Sequence, residues 1–230
     1  MQPRVSCIIP AWNEGARLPG VLAVVVGHPL VAEVILVDDG STDDTALVGA
    51  RAGARVLTHT PNRGKSAAVA RGLEAATGEI VLLLDADLIG LRANHVAALL
   101  EPVLSGQADT SVSLRSNAPR LWHLIGLDYI SGERAMPRAL LDGQLERIAK
   151  LRGFGLEVHL NRLWLSRAVR VAVVRLEGVA SPSKMKKQGI LEGIRADARM
   201  LGDIFRTFGL AEVLRQIVCL RRARVGVTRA

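Results

Sequence analysis

The sequence predicts an α/β fold in which helices cover both faces of a mostly parallel sheet, followed by a basic helical appendage at the C-terminus. Short apolar runs alternate with helical patterns over the first 90 residues, and turn residues separate them. No long linker and no internal repeat divides the chain. With 230 residues, of which 49% are hydrophobic, the chain can bury a sizeable core, so we expect one main domain.

The first part of the chain is predicted to alternate strictly between strands and helices. The predicted strands are apolar runs bounded by turn residues, at 4–9, 33–38, 54–59 and 79–85. The predicted helices lie between them, at 18–26, from Ser41 as N-cap to about 52, and at 65–77. Each of the first three predicted strands is therefore followed by a helix that can carry the chain back for the next parallel strand.

The second part of the chain has weaker patterns. We expect a turn and a helix over 130–141, a helix over 153–166, a strand over 170–179 and a basic loop over 181–189. The segment 106–128 is rich in Ser, Asn, Gly and Pro and is predicted to be mobile or to face the acceptor. The expected organisation is a catalytic domain over 1–188, with halves 1–90 and 91–188, and an amphipathic helical segment over 189–230.

The excess of positive charge points to an anionic partner. The formal net charge is +8 and the sequence pI is near 10.4, which fits nucleic acid, a phosphorylated substrate or an acidic membrane surface. Aromatic residues make up only 3% and no recognition motif is present, which disfavours nucleic acid. The arginine-rich C-terminal helices are expected either to lie on an anionic membrane or to pack on the domain.

The cellular compartment is suggested by the cysteines and by the absence of long apolar runs. Two cysteines form neither a disulfide framework nor a spaced metal set, and no stretch approaches the ~20 apolar residues of a spanning helix. We therefore expect a cytoplasmic protein, with peripheral association at the inner face of the plasma membrane as one option.

Polar clusters follow each of the first four predicted strands. They lie at 10–14, 38–41, 61–65 and 85–87. Because ligands of open parallel sheets bind outside the carboxyl ends of the strands, these clusters are expected to meet at one rim.

Asp85 and Asp87 form the most informative cluster. They follow a buried strand with one residue between them, so their carboxylates are expected to lie close together and to repel. A divalent cation with oxygen ligands, Mg²⁺ or Mn²⁺, would relieve this repulsion and leave positions open for phosphate oxygens. The alternative is an ordinary strand end with solvated acids.

Two common nucleotide-binding motifs are excluded. The run Arg63-Gly64-Lys65-Ser66 resembles the end of a P-loop, but His59 stands where that motif requires glycine. The sequence PAWNEG after the first strand lacks the glycines of a dinucleotide-binding turn. A basic loop that leads into a helix still attracts phosphate, and Asp38 and Asp39 could accept hydrogen bonds from a base or a ribose.

The segments CIIPAWNE, VILVDDGSTDDT, NRGKSAAVARG and GEIVLLLDAD, in this order, resemble the nucleotide-sugar half of family 2 glycosyltransferases. This resemblance covers residues 4–90 and implies a Rossmann-like GT-A domain that transfers a hexose with inversion. It also implies site roles: Pro10, Ala11 and Glu14 would line the nucleoside pocket, Asp39 would contact the base, Lys65 would lie near the nucleotide, and Asp85 and Asp87 would form the metal-binding DxD. The metal and basic groups would stabilise charge on the leaving diphosphate.

The acceptor half is more loosely similar to the polyprenyl-phosphate sugar transferases of this family, chiefly at Ser183-Lys184-Met185. A phosphate acceptor needs cations, for which Arg134, Lys184, Lys186 and Lys187 are the candidates. A hydroxyl acceptor instead needs a carboxylate base, for which Glu133 is the first candidate and Glu157 the second. His159 is expected either to bind metal or to pack on its helix. A non-catalytic nucleotide- or lipid-binding relative is a further alternative, which the intact DxD disfavours.

Overall fold

The computed structural model describes residues 3–181, 202 and 204–230, and these residues form one mostly parallel sheet. The strands are β1 (Val5–Ala11), β2 (Glu33–Asp38), β3 (Arg55–Thr58), β4 (Ile80–Leu83), β5 (Thr110–Arg115), β6 (Arg134–Pro137), β7 (Val171–Leu176) and β8 (Arg224–Arg229). Their spatial order is β3-β2-β1-β4-β6-β5-β7-β8. All neighbours are parallel except β6, which runs antiparallel to both β4 and β5. The predicted α/β fold is therefore confirmed.

Helices cover both faces of the sheet. They are α1 (Leu18–Val25), α2 (Thr45–Arg51), α3 (Lys65–Ala75), α4 (Ala93–Leu104), α5 (Arg120–Ile125), α6 (Leu145–Ala149), α7 (Gly155–Ser166) and α8 (Leu210–Ala223), with a 3₁₀ helix at Arg138–Leu141. Successive residues of β1 point to opposite faces, so Ile8 lies in the core on the α3 side, whereas Cys7 and Ile9 lie in the core on the α1 side. Burial on both faces explains why these strands are continuous apolar runs.

Strand β6 joins the two halves of the sheet. Leu83 at the end of β4 pairs with Arg134 at the start of β6, and Val112 of β5 pairs with the same arginine. Because β6 runs antiparallel, its first residue lies beside the carboxyl end of β4. The loop that precedes β6 is thereby brought next to Asp85, which follows β4.

The prediction over the first 90 residues agrees with the structure except at the end of β1 and at one helix start. Strand β2 matches the predicted bounds, β3 and β4 lie in the predicted runs, and β1 continues to Ala11, two residues past its predicted end. The expectation that Ser41 is an N-cap is wrong, because α2 begins at Thr45 and the Ser41 hydroxyl donates instead to Asp38. The acidic residues between Ser41 and Thr45 therefore belong to the loop after β2 rather than to the first turn of α2.

One prediction in the second half is wrong, because segment 130–141 forms a turn, β6 and the 3₁₀ helix, not a turn and an α-helix. Segment 106–128, predicted to be mobile or to face the acceptor, contains β5 and α5, and all six residues of β5 are buried inside the sheet. Its serines can be buried because their hydroxyls are hydrogen-bonded, as Ser111 Oγ is to Leu99 O at 2.5 Å.

The described part of the C-terminal segment belongs to the domain. Val213, Ile217 and Leu220 of α8 are buried in the core, so this helix packs on the domain rather than presenting that face to a membrane. Residues 224–229, expected to be helical, form β8 and pair with β7. The predicted boundary at 188/189 lies outside the described residues. No described helix is both long enough and apolar enough to cross a bilayer.

Candidate active site

A cleft of about 370 Å³ lies at the carboxyl ends of the first parallel strands. Its walls come from the loops after β1, β2, β3 and β4, as expected for the four polar clusters. The lining residues are Pro10, Ala11, Trp12, Glu14, Asp39, Asn62, Gly64, Lys65, Ala68, Asp85, Ala86 and Asp87. Trp12 is 56% exposed, so an aromatic face stands at the mouth of the cleft and is available for a ring-shaped ligand.

The loops after β1 and β2 are tied together by side-chain hydrogen bonds. The Asn13 N–H donates to Ser41 Oγ at 2.9 Å, and the Thr42 N–H donates back to Asn13 Oδ1 at 2.8 Å. The Glu14 N–H donates to Thr45 Oγ1 at 2.9 Å. Asn13 has φ +55°, a left-handed conformation that asparagine tolerates better than most residues. This side of the cleft is therefore held in shape before any ligand binds.

Asp39 organises the opposite loop. Its Oδ1 accepts from the Arg63 N–H at 3.0 Å and lies 2.7 Å from His59 Nδ1, and its Oδ2 accepts from the Gly64 N–H at 2.6 Å. Gly64 has φ +94°, which suits glycine, and directly precedes α3. Asp39 therefore fixes the loop that presents Lys65 to the cleft.

Asp38 has a different position from its neighbour. It is buried, its Oδ1 accepts from the Ser41 N–H at 3.2 Å and from the Ser41 hydroxyl, and it does not line the cleft. The expectation that Asp38 contacts the nucleotide is therefore not met. Glu14 does line the cleft, where its Oε2 accepts from Arg17 Nε at 2.6 Å.

Lys65 lies between two carboxylates. Its Nζ is 2.8 Å from Asp85 Oδ1 and 3.1 Å from Glu157 Oε1. Burial alone would raise the pKa of Asp85, but the Lys65 ammonium and the Arg115 guanidinium outweigh it and hold that pKa below its usual value. Burial would likewise lower the pKa of Lys65, and the two carboxylates reverse this and raise it. Both groups are therefore charged at neutral pH.

Asp87 carries the opposite shift. Burial raises its pKa, and the carboxylates of Asp85 and Glu14 add to the rise, while a hydrogen bond from Ser181 Oγ at 2.8 Å lowers it in part. Asp87 is thus a cleft carboxylate whose negative charge is not fully compensated by the neighbours that the structure describes. Within the described residues no group of three or more His, Cys, Asp or Glu could hold a metal, so a cation here would have two carboxylates and complete its shell with other oxygens. That donor set fits Mg²⁺ or Mn²⁺ bound with a diphosphate.

Glu133 is enclosed by the protein. It is fully buried, and its Oε2 accepts from Ser113 Oγ at 2.6 Å and Ser131 Oγ at 2.8 Å, with Arg115 Nε 3.5 Å away. The expectation that Glu133 serves as a base for a hydroxyl acceptor is wrong, because a base must reach the proton it removes.

Arg134 is equally enclosed. Its Nε donates to Ser131 O at 2.8 Å, its Nη1 donates to Asn161 Oδ1 at 2.7 Å, and its guanidinium lies 4.8 Å from the centre of the Trp164 ring. Burial lowers the pKa of Arg134. The expectation that this residue binds the acceptor is therefore wrong, and its donors stabilise the fold instead.

The remaining acceptor-side candidates divide into two groups. His159 is 9% exposed and its Nε2 lies 3.1 Å from Gln144 Oε1, which agrees with a packed histidine and not with a metal ligand. Lys184, Lys186 and Lys187 lie outside the described residues.

Three residues around the two aspartates were not predicted from the sequence. Arg115, at the end of β5, is nearly buried, and the charges of Glu133, Asp128 and Asp85 raise its pKa against the opposing effect of burial. A Cβ atom at Gly132 would lie 2.7 and 2.8 Å from the two Asp85 oxygens, so only glycine allows this approach. Ser181 binds Asp87. Recognising the alternating pattern TSVSLR as a buried strand would have placed Arg115 at the rim.

Comparisons with known proteins point to one family. The family model described as "Glycosyl transferase family 2" matches residues 6–151. The glucosyl-3-phosphoglycerate synthase of Mycobacterium tuberculosis strain H37Rv is 38% identical over 112 residues, which is 45% of this chain and 35% of the relative. An uncharacterized glycosyltransferase of the same strain is 45% identical over 83 residues, 36% of each chain. The match thus spans about a third of the length of these curated relatives.

Solved structures extend the similarity over most of the chain. The crystal structure of the M. tuberculosis glucosyl-3-phosphoglycerate synthase with Mn²⁺, UDP-glucose and phosphoglyceric acid has a TM-score of 0.67 and 27% identity, and the alignment covers 94% of this chain and 80% of that chain. A crystal structure described as a mycobacterial protein has a TM-score of 0.66 and 26% identity, covering 83% of this chain and 70% of that chain. The first of these structures has a fold similar to that of this chain and contains a divalent metal, a nucleotide sugar and a phosphorylated acid.

Proposed function

Because this chain belongs to glycosyl transferase family 2, we propose that it transfers a hexose from a nucleoside diphosphate sugar bound in the cleft. One observation carries the proposal: Asp85, Asp87 and Lys65 line a single cleft at the carboxyl ends of parallel strands. Breaking the bond between a sugar and a diphosphate builds negative charge on the leaving group, which a cation and a lysine can stabilise. A non-catalytic binding protein has no comparable need for paired acids.

The metal site would consist of Asp87 and Asp85. These carboxylates line the same cleft, and the Mn²⁺ in the solved relative agrees with the predicted Mg²⁺ or Mn²⁺. When bound, the ion would neutralise charge on the diphosphate. Ser181 would orient Asp87 through its hydrogen bond, and Gly132 would leave room for the Asp85 carboxylate.

The donor would lie along the wall formed by the first three strand ends. Pro10, Ala11 and Trp12 offer an apolar and aromatic surface for the nucleoside, next to Glu14. Asp39 acts mainly through the loop that it holds, because three hydrogen-bond partners already surround its carboxylate. Lys65 would face the diphosphate as the cation of this wall.

For the acceptor we favour a small phosphorylated hydroxy acid. The solved relative bound to phosphoglyceric acid aligns with 94% of this chain, and the net charge of +8 suits an anionic substrate. The solved synthase holds phosphoglyceric acid, so the lipid phosphate and the anionic membrane surface become the competing outcome of the test. The cytoplasmic location stays a prediction. Inversion also stays a prediction, and ¹H NMR of the anomeric configuration of the product tests it.

The test is the release of nucleoside diphosphate from a panel of nucleotide sugars with Mn²⁺ or Mg²⁺. Each sugar is incubated with 3-phosphoglycerate, with polyprenyl phosphate in detergent, or with neither, and Asp87→Asn is the control. We expect metal-dependent turnover that requires the phosphorylated acid. Turnover that requires the lipid would reverse the acceptor assignment. Tight donor binding without turnover on any acceptor would contradict the enzymatic proposal itself.

A further inference from the structure

Lys65 is shared by two acids from distant parts of the chain. It is the first residue of α3, whereas Asp85 follows β4 and Glu157 lies in α7. Its ammonium is 2.8 Å from Asp85 Oδ1 and 3.1 Å from Glu157 Oε1. The Lys65 side chain is 39% exposed, while that of Glu157 is only 5% exposed, so the ammonium stands at the boundary between cleft and interior.

In this position the Lys65 ammonium competes with a divalent cation for the Asp85 carboxylate. A Mg²⁺ or Mn²⁺ ion sits about 2.1 Å from a carboxylate oxygen, so an ion on Asp85 and an ammonium on the same carboxylate would lie within a few ångströms of each other. Like charges at such a distance repel strongly when the site is partly shielded from water. A diphosphate changes the balance, because its oxygens attract both the ion and the ammonium.

Glu157 offers Lys65 a place away from Asp85. Its Oε1 already contacts the ammonium, and its Oε2 is buried with no hydrogen-bond partner among the described residues. A buried carboxylate oxygen without a partner is costly, so Glu157 gains when the ammonium moves closer to it. The lysine can therefore leave Asp85 without leaving the cleft.

We propose that Lys65 couples the two ligands of the donor site: a divalent cation binds Asp85 and Asp87 strongly only together with a nucleoside diphosphate. Glu157 is the positioning residue that retains the ammonium at the cleft when it leaves Asp85. This inference rests on the proposed function, because it concerns the same donor and metal. The inference adds that Lys65 has opposite effects on two affinities: it weakens the binding of the metal alone and strengthens the binding of metal and diphosphate together.

The experiment measures Mn²⁺ binding directly, from the electron paramagnetic resonance signal of free Mn²⁺, with and without UDP. Titrations of UDP alone correct for Mn²⁺ held by free nucleotide. For the wild type we expect the Mn²⁺ dissociation constant to be at least about tenfold lower with UDP. In Lys65→Gln we expect Mn²⁺ alone to bind about fivefold more tightly and the effect of UDP to shrink at least about fivefold.

A matched control is available in Lys150→Gln. Lys150 is 73% exposed and its Nζ lies 2.6 Å from Glu146 Oε1, so the substitution also removes a lysine from an ion pair. We expect both Mn²⁺ constants to stay at the wild-type values. A loss of positive charge that acts only through the net charge of the protein would change Lys150→Gln and Lys65→Gln alike.

Glu157→Gln moves metal affinity in the opposite direction from Lys65→Gln. Of the two carboxylates that the ammonium contacts, Glu157→Gln leaves Asp85, so Mn²⁺ alone should bind about threefold more weakly than to the wild type. A purely structural role of Glu157 would lower the unfolding temperature without this change in the Mn²⁺ constant. The unfolding temperature is therefore recorded for every variant.

Two failures can be told apart. If the wild type binds neither Mn²⁺ nor UDP in any combination, the proposed donor site is wrong and the inference falls with it. If the wild type binds both, but Lys65→Gln does not tighten Mn²⁺ binding and leaves the effect of UDP unchanged, only the coupling role of Lys65 is overturned.

Discussion

The polar residues of the two halves of the sheet face different surroundings. After β1, β3 and β4, Glu14, Lys65 and Asp87 line a cleft that is open to solvent. Around β5 and β6, in contrast, Glu133 and Arg134 are at most 1% exposed and form hydrogen bonds with other protein groups. The same residue types thus serve ligand binding in the first half and architecture in the second.

The direction of the strands explains this difference. The first four strands are parallel, so the loops at their carboxyl ends share one open rim. Strand β6 is inserted antiparallel between β4 and β5, so the charged residues at its start enter the sheet where their neighbours end. Glu133 and Arg134 are therefore drawn beneath the rim, where each needs a hydrogen-bond partner.

The largest effect should come from the first half, with Asp87→Asn. Loss of the carboxylate removes a metal ligand while keeping the shape of the side chain, so we expect turnover to fall on the order of 10³-fold. Urea unfolding should match the wild type, because asparagine can keep the hydrogen bond that Asp87 accepts from Ser181. The measurement is nucleoside diphosphate release at saturating Mn²⁺. Unchanged turnover would contradict the metal assignment.

In the second half, Arg134→Leu should act on stability. It leaves Ser131 O and Asn161 Oδ1 without a donor and removes the contact with Trp164, so the free energy of unfolding should fall by about 3 kcal/mol. Arg71→Leu is the control, since Arg71 is 50% exposed and pairs with Glu74. Urea denaturation compares the two. Equal losses would show that Arg134 is not the anchor that its contacts indicate.

The site residues of the first half could be predicted from the sequence because a local pattern marks them. Each strand was an apolar run, each was followed by polar residues, and the parallel topology alone brings those residues together. The roles of Asp38 and Asp39 could not be separated in this way. They are neighbours at the end of β2, but only Asp39 lines the cleft, since the Asp38 carboxylate turns toward Ser41.

The structure of the second half could not be predicted from the sequence because it depends on pairing between residues that are far apart in the chain. Strand β6 has only four residues, RAMP, and its position depends on pairing with β4 and β5. The partners of Glu133 include Ser113, which lies 20 residues away, and no local pattern shows that a serine will satisfy that carboxylate. Strand β8 was missed because its arginines continue the composition of α8.

Gly132→Ala tests the place where the two halves meet. The added Cβ would lie 2.7 Å from the nearer Asp85 oxygen, so the carboxylate must turn away from Lys65 and out of its present orientation. We expect Mn²⁺ affinity in the presence of UDP to fall about tenfold, since a misplaced ligand weakens a metal site. Gly20→Ala is the control, because nothing lies within 4 Å of a Cβ there. Equal affinities in both variants would mean that the loop before β6 does not shape the metal site.

Glu133→Gln should have the smallest effect on activity and gives the sharpest test of the contrast between the halves. Glutamine keeps the shape and can still accept from one serine, and Arg115 retains Asp128 at 3.4 Å, so kcat should stay within about threefold of the wild type. The free energy of unfolding should fall by about 1 kcal/mol, because a charge-assisted hydrogen bond is lost. Steady-state kinetics and urea denaturation measure the two effects. A fall in kcat of about 10²-fold or more at unchanged stability would identify Glu133 as a catalytic base. The active site would then include a residue from the second half of the sheet.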